Sequence, residues 1–196
     1  QDGQSVAAPV RAALNEQAPN AVKNENYIIT DADERAIEGG KPKDKVRTNI
    51  AAIRIVRKLA EDGREVTPEE KTVLARYVGW GGLKPAFNNT YYNAYEREQS
   101  EGTLPPQTWA AIRKTPLGEE GYDLYKQMRE LLSQDEIKSI EDSTTSAFFT
   151  PIRLCRSIHK ALASAGLNGG RFLETSAGIG NMIGTGNYAN PRWTAV

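Results

Sequence analysis

The segment Arg171-Phe-Leu-Glu-Thr-Ser-Ala-Gly-Ile-Gly-Asn181 decides the fold class of this 196-residue chain. Phe172 and Leu173 predict a short buried strand, and Glu174 stands at the end of that strand. The strand runs directly into a glycine-rich turn. In α/β sheets this arrangement makes room for a nucleotide-like ligand beyond the carboxyl ends of the strands. The segment therefore predicts the start of an α/β domain.

The residue types of the turn suit close contact with a ligand. Ala177, Gly178 and Gly180 let the main chain approach a bound molecule, because a larger side chain would collide with it. Glu174 can accept a hydrogen bond or pair with a cation, and Ser176 and Asn181 offer polar side chains. The chain contains no P-loop sequence, and the G-x-G-x-x-x-G spacing from Gly178 to Gly184 misses the dinucleotide fingerprint. Spacing alone thus leaves a ligand-free structural turn open.

The sequence before the strand predicts a turn followed by a helix. Ser146-Ala-Phe-Phe-Thr-Pro151 combines two aromatic residues, a hydroxyl and a proline that suits a helix start. The helix then carries an apolar set, Leu154, Cys155, Ile158 and Leu162. We interpret Cys155 and His159 on it as packing and surface residues. A second strand is expected at Arg192–Val196.

The preceding part of the chain predicts a mainly helical unit. Residues 1–26 are poor in large apolar groups and read as a flexible tail. Residues 27–145 form the helical unit. In it Thr67-Pro68-Glu69-Glu70 and Ser133-Gln-Asp-Glu136 are capping signatures, and the polar segment 88–103 is expected to be an irregular connection.

Two features of the helical unit leave a functional alternative open. An amphipathic helix over Lys45–Asp62 has a basic face that can track phosphates, although a solvated helix face is the simpler interpretation. The Gly79-Trp-Gly-Gly82 turn presents Trp80, which can stack on a base or anchor the core.

Composition excludes several classes of protein. The 25 basic and 25 acidic side chains give a net charge of +0, so the chain lacks the basic excess usual in nucleic-acid binders. A single cysteine excludes an intramolecular disulfide framework, and a single histidine argues against a self-contained metal site. No apolar run reaches the roughly 18 residues of a membrane span, and no signal peptide is evident. A cytoplasmic location is the simplest expectation.

Two of these motifs together resemble a known family. Phe148-Phe149-Thr150-Pro151 and Glu174-Thr-Ser-Ala-Gly-Ile-Gly-Asn181 are similar to the opening of an N6-adenine DNA methyltransferase, with its F-x-T-P-like turn and its first motif E-P-S-A-G-x-G-N. Tyr27-Ile-Ile-Thr30, the helix from Arg47 to Leu59 and Arg76-Tyr-Val-Gly-Trp-Gly-Gly-Leu83 resemble the N-terminal region of very large methylase–helicase proteins of conjugative elements and phages. The resemblance covers roughly residues 27–196.

The resemblance implies a cofactor and the residues that contact it. The cofactor is S-adenosylmethionine, and the implied contacts are Phe149, Thr150, Pro151, Glu174, Ser176, Ala177, Gly178, Gly180 and Asn181. Thr175 departs from the usual proline of the motif. Residues 146–196 would then be the incomplete start of a Rossmann-like methyltransferase domain.

The resemblance also implies what this chain does not carry. No N/D-P-P-Y/F loop, which holds the target amine in that family, occurs in the sequence. We therefore expect a fragment that binds DNA through the intact protein, together with further methyltransferase and helicase regions, and that is inactive alone. Two alternatives remain: a helical DNA- or protein-binding module without catalysis, and a complete small protein whose glycine turn is structural.

Overall fold

The computed structural model describes residues 26–196, which are mainly helical with a small two-stranded parallel sheet near the end of the chain. The predicted tail lies outside this range apart from Asn26. The helices are α1 Asp31–Gly39, α2 Pro42–Asp62, α3 Pro68–Ala75, α4 Asn89–Glu101, α5 Pro106–Arg113, α6 Gly118–Leu131, α7 Gln134–Ser143, α8 Ile152–Ser164 and α9 Asn181–Thr185, with a 3-10 turn at Lys84–Phe87. The strands are β1 Gly169–Glu174 and β2 Ala189–Ala195. Within the described range, none of the helices combines the length and apolar character that a bilayer crossing requires.

Local capping signals start three of the helices. Thr67 and Ser133 accept hydrogen bonds from the main-chain N–H groups of Glu70 and Glu136, and the two glutamates return the bond, as the sequence predicts. Thr30 forms the same reciprocal box with Asp33 at the start of α1. The segment 27–30 therefore ends as a helix cap and forms no strand.

The helical unit is built around one apolar core. Its fully buried side chains come from α2, α4, α5 and α6, and they include Val46, Ile50, Tyr91, Ile112, Tyr122 and Met128. Helix α6 contacts α2, α4, α5 and α7, so it lies at the centre of the unit.

The irregular connection expected over residues 88–103 is wrong, because this segment is helix α4. The side chain of Asn88 caps it by accepting a hydrogen bond from the Thr90 N–H at 2.9 Å. Tyr91 and Ala94 are buried on its inner face, and the Tyr91 ring lies 6.3 Å from that of Tyr122. Tertiary burial of these tyrosines thus stabilises a helix that composition does not predict.

The sheet places both strands side by side with their carboxyl ends together. β1 and β2 pair in parallel, with Phe172 beside Trp193 and Glu174 beside Ala195. On the face towards α8, the Phe172 ring stacks on Tyr188 at 4.6 Å and on Trp193 at 4.5 Å. His159 of α8 is buried beside these rings and forms a hydrogen bond with the Tyr188 hydroxyl.

The outer faces of β1 and α8 are exposed to solvent. Leu173 is 66% exposed, so the prediction that it belongs to a buried strand is wrong. Leu154, Ile158 and Leu162 of α8 are also exposed, and the residues that α8 buries are Ile152, Cys155 and His159. Burial raises the pKa of the Cys155 thiol. The apolar stripe of α8 therefore points away from the core that the structure describes.

Residues 27–39, which we call the strap, pack against this later part of the chain. The Ile29 N–H donates to the Gly184 carbonyl at 2.7 Å, and Ile29 and Ile37 share a small apolar cluster with Ile152. Arg156 donates to the Ile29 carbonyl at 3.0 Å and pairs with Asp31 at 2.5 Å. The strap thus joins the start of the helical unit to α8 and α9.

A buried carboxylate joins the strap to α3. Asp33 accepts hydrogen bonds from the Tyr27 hydroxyl at 2.8 Å, from Thr30, and from Arg76 Nε at 2.7 Å. Burial acts to raise the pKa of Asp33, but the bonds from Thr30, Arg76 and Tyr27 outweigh it and hold the pKa at about 2. Asp33 is therefore an anion that the surrounding donors fix in place.

Candidate ligand cavity at the glycine turn

A cavity of about 280 Å³ lies at the carboxyl end of β1. It is lined by Phe148, Phe149, Thr150, Glu174, Ser176, Ala177, Gly178, Ile179, Asn181 and Met182. The two sequence motifs from residues 148 and 174 therefore meet around one space. Its volume is slightly below the roughly 300–1,000 Å³ of small-molecule sites, so it would enclose only part of a cofactor-sized ligand.

The turn itself places its residues through two left-handed glycines. Gly178 has φ +53° and Gly180 has φ +84°. The Gly180 N–H donates to the Ala177 carbonyl at 2.7 Å, and α9 starts at the next residue. This geometry turns the chain sharply after β1 and brings Asn181 back to the cavity wall.

Asn181 joins the turn to the earlier motif. Its amide Nδ2 donates to the Thr150 carbonyl at 2.9 Å, and its side chain is nearly buried. The same carbonyl accepts a weaker contact from Cys155 Sγ at 3.8 Å. One hydrogen-bonding group of Asn181 is therefore committed to holding the cavity together.

Phe149 forms the floor between the helical unit and the turn. A Cβ placed on Gly178 would lie 2.8 Å from the Phe149 ring, and a Cβ on Gly79 would lie 2.3 Å from it. Both distances are too short for real carbon contacts, so the ring fits only because both positions are glycine. The G-W-G-G segment thus packs directly against the cavity.

Glu174 gives the cavity its charge. In the part of the chain that the structure describes, it is the only ionisable side chain among the lining residues. Its Oε1 accepts a hydrogen bond from the Ser176 N–H at 3.0 Å. No described donor occupies the other carboxylate oxygen, which is thus available to a bound group. A cavity with one carboxylate and no basic side chain favours a cationic group on its ligand.

The structure distributes the nine predicted contact residues over neighbouring spaces. Phe149, Thr150, Glu174, Ser176, Ala177, Gly178 and Asn181 line the cavity, as described above. Pro151 lines an adjoining cavity that also contains Phe148, and Gly180 lines another on the strap side of the turn.

Three lining residues, Phe148, Ile179 and Met182, were not among the predicted contacts, although Phe148 belongs to the first motif. Ile179 is the variable position between the two glycines, and Met182 follows Asn181 on α9. The G-x-G pattern itself marks Ile179 as a residue at the turn tip. Met182 carries no comparable signal, because α9 has only five residues.

The structure also answers the two alternatives raised for the helical unit. Trp80 is 2% exposed and packs edge-on against Phe87 at 5.5 Å, so it anchors the core. The basic face of α2 is largely engaged within the chain: Arg47 pairs with Glu120, and Arg57 with Glu136 at 2.7 Å. Arg54 donates to Gln127 at 3.0 Å. Among residues 26–196 no cluster of three or more His, Cys, Asp or Glu side chains could hold a metal ion.

No protein-family model matches the chain, and neither a curated protein nor a solved structure is significantly similar to it.

Proposed function

We propose that this chain supplies the cofactor-binding part of an S-adenosylmethionine-dependent DNA adenine-N6 methyltransferase, of the kind that the large methylase–helicase proteins of conjugative elements and phages contain. One observation carries the proposal. The Phe148–Pro151 motif and the Glu174–Asn181 motif, which resemble that family separately, lie around one cavity and are tied by the Asn181–Thr150 hydrogen bond.

The chemistry of the cavity fits the cofactor. S-adenosylmethionine carries sulfonium and ammonium cations, and one oxygen of the Glu174 carboxyl group accepts no hydrogen bond from the described residues. Ser176 and Thr150 place hydroxyl groups on the same wall. When bound, the cofactor supplies an electrophilic methyl group. The residues of this chain bind and orient it: Glu174 attracts the cationic end, and Phe149 and Ala177 provide apolar contact.

The open faces around β1 fit a larger sheet in the proposed Rossmann-like domain. Parallel strands are normally covered on both faces, yet Leu173 on β1 is exposed and the apolar stripe of α8 is uncovered. Further methyltransferase strands would cover these groups and add the missing volume to the cavity. The 196 residues contain no N/D-P-P-Y/F loop, so transfer to adenine in DNA requires a polypeptide that supplies that loop.

A helical binding module without catalysis has less support. The observations that motivated it were the Trp80 turn and the basic face of α2. Trp80 is buried and unable to stack on a base, and the arginines of α2 already have partners.

Titration of the isotope-labelled chain with S-adenosylmethionine, followed by ¹H–¹⁵N NMR, tests the proposal. We expect millimolar binding, with shifted signals confined to Thr150, Ser176, Gly178 and Asn181. Glu174→Gln should abolish the shifts, and Glu61→Gln, an exposed change on α2, should leave them intact.

Two outcomes would contradict the proposal. Shifts scattered over the surface, or unchanged in Glu174→Gln, would exclude this cavity as the cofactor site. Submillimolar binding would instead show that the cavity is already complete in these residues.

A further inference from the structure

Phe148 stands at the rim of the ligand cavity with most of its ring in solvent. It is 68% exposed, the most exposed aromatic residue among the large apolar side chains that lie outside the core. A ring of this size left in water forgoes the free energy that burial of its apolar area would supply. At the edge of a cavity such a ring is available for contact with a ligand.

The glycine segment contacts one edge of this ring. A Cβ on Gly81 would lie 3.0 Å from Phe148 Cδ1 and 2.4 Å from the Ala147 carbonyl oxygen. The Gly82 N–H also donates to the Thr144 carbonyl at 2.9 Å, which fixes the glycine segment against the 144–148 turn. The ring therefore rests on the main chain of the G-W-G-G segment and presents its other side outwards.

A second cavity of about 400 Å³ adjoins the first, and Phe148 lines both. The second cavity carries two cationic side chains, Lys45 and Arg153, and one carboxylate, Glu38. Arg153 pairs with Glu38 at 2.8 Å, whereas no carboxylate within residues 26–196 lies at ion-pair distance from Lys45. Arg153 also lies 3.6 Å from Glu34, so carboxylates balance the arginine, and Lys45 is the lining cation without such a partner among the described residues.

An exposed ring beside an unpaired cation has the chemistry of a single-strand nucleic-acid contact. Bases stack on aromatic faces whatever their sequence, and a nearby cation holds the phosphate. The two cavities share Phe149, Ile179 and Asn181, so a base on Phe148 lies next to the proposed cofactor cavity. Enzymes that modify bases act on unpaired or flipped-out nucleotides, which is the form that such a ring can stack on.

We infer that Phe148 stacks on an unpaired base of a DNA strand and that Lys45 contacts the phosphate of that strand. This inference rests on the proposed function, because it names the residues that receive the acceptor strand. The occupant is unpaired DNA, and the cofactor adenine is the competing occupant that the experiment distinguishes.

The experiment measures binding of the 196-residue chain to a fluorescein-labelled single-stranded oligodeoxynucleotide by anisotropy. Phe148→Ala should weaken binding about tenfold, in line with alanine substitutions at stacked bases. Phe148→Tyr should retain the affinity, because it keeps the ring. Phe148→Leu should behave like Phe148→Ala, because it keeps apolar area but has no aromatic face.

Two further variants test the phosphate contact and provide a control. They are Lys45→Gln and Tyr92→Ala. Lys45→Gln should weaken binding to all sequences similarly and reduce the slope of affinity against salt by about one. Tyr92→Ala removes an exposed aromatic ring from a distant cavity and should leave affinity unchanged. Equal unfolding midpoints for all variants show that folding is not the cause.

The outcomes separate this inference from the proposed function. Unchanged DNA binding in Phe148→Ala, or no DNA binding by the original chain, overturns the inference. Loss of the S-adenosylmethionine shifts in Phe148→Ala with DNA binding intact assigns the ring to the cofactor, which also overturns it but keeps the proposed function. Phe148-dependent DNA binding without any cofactor shift supports the stacking site and contradicts the proposed function.

Discussion

The side-chain amide of Asn181 donates a hydrogen bond to the main-chain carbonyl of Thr150 at 2.9 Å, across 31 residues of sequence. Asn181 is buried whereas Thr150 is exposed, so this bond is partly shielded from water. It connects the two motifs whose pairing led to the cofactor hypothesis. Its loss should therefore affect stability and cavity shape together.

Asn181→Ala should lower the free energy of unfolding by about 0.5–1.5 kcal/mol, because the Thr150 carbonyl then loses its main hydrogen-bond partner. Urea denaturation followed by circular dichroism measures the change. Asn187→Ala, an exposed asparagine on the same segment, is the control and should change stability by less than about 0.5 kcal/mol. Equal effects of the two substitutions would show that the bond contributes nothing.

Gly178→Ala should be more destabilising than Gly180→Ala. Both glycines have positive φ, so alanine is strained at either position. Only at Gly178 does the new Cβ meet the Phe149 ring, at 2.8 Å, whereas nothing lies within 4 Å of a Cβ at Gly180. The contact should add about 1–3 kcal/mol of overpacking to the strain.

A second substitution isolates that contact. Phe149→Leu combined with Gly178→Ala should recover part of the difference, because the smaller side chain leaves room for the methyl group. Chemical denaturation of the two single variants and the double variant gives the coupling energy. Strict additivity would contradict the packing of Phe149 against Gly178.

The free energy of unfolding should depend on pH through the ionisation of Asp33. The pKa of Asp33 is about 2 in the folded chain against an ordinary value of 3.8, so the folded state favours its ionised form. The contribution is fully present above the unfolded pKa and is lost as the pH falls through the folded value. From the size of the shift it amounts to about 2 kcal/mol.

Unfolding free energies of the original chain and Asp33→Asn, measured from neutral pH down to pH 2, test this. The difference between them should be constant near neutrality and shrink below about pH 4. Asp123→Asn, a change at an exposed carboxylate on α6, should run parallel to the original chain. A gap that is independent of pH would indicate that the carboxylate charge is not what stabilises the strap.

The exposed apolar residues of α8, Leu154, Ile158 and Leu162, should tolerate substitution by a charged residue. Leu162→Lys should change the unfolding free energy by less than about 0.5 kcal/mol, because Leu162 is exposed and belongs to neither apolar cluster of the described residues. Ile152→Lys should prevent cooperative folding of the strap and α8, since Ile152 is fully buried. Thermal unfolding monitored by circular dichroism compares them. A large cost at Leu162 would mean that this face is covered in solution.

The parts of the fold that local chemistry determines were predicted from the sequence. Capping boxes at Thr67 and Ser133 start α3 and α7, and Gly63 ends α2 in a left-handed conformation. These signals act within a few residues, so no tertiary information is needed. The glycine turn and the strand before it were predicted for the same reason.

Tertiary partners explain what the sequence did not show. Helix α4 depends on burial of Tyr91 against α6, and its composition alone is that of a loop. On α8 the predicted apolar face has Leu154, Ile158 and Leu162 exposed, whereas Cys155 is buried together with Ile152 and the polar His159. Its ring nitrogens contact the Tyr188 hydroxyl and the Met182 carbonyl, both at 2.8 Å. A polar side chain can be buried when such partners exist, and they become known only with the fold.

For the candidate cavity, too, the sequence predicted the local motifs but not the tertiary contacts. Pairing of the two motifs predicted which residues would meet, but not that Gly79 would complete the packing around Phe149. It also did not predict that the Asn181 amide would be used internally. Both facts depend on how the helical unit lies against the turn.

The contact between Ile29 and Gly184 has a consequence for synthesis of the chain on the ribosome. Ile29 is synthesised before the groups that form hydrogen bonds with it. Arg156, which donates to the Ile29 carbonyl, follows it by 127 residues, and Gly184 comes later still. Ile29 and Ile37 of the strap therefore remain exposed until α8 and α9 have been synthesised. Contacts of such sequence separation form slowly, because a long loop has to close first. The contacts of the strap with α8 and α9 are consequently expected to form late, and until then Ile29 and Ile37 are accessible to chaperones and proteases.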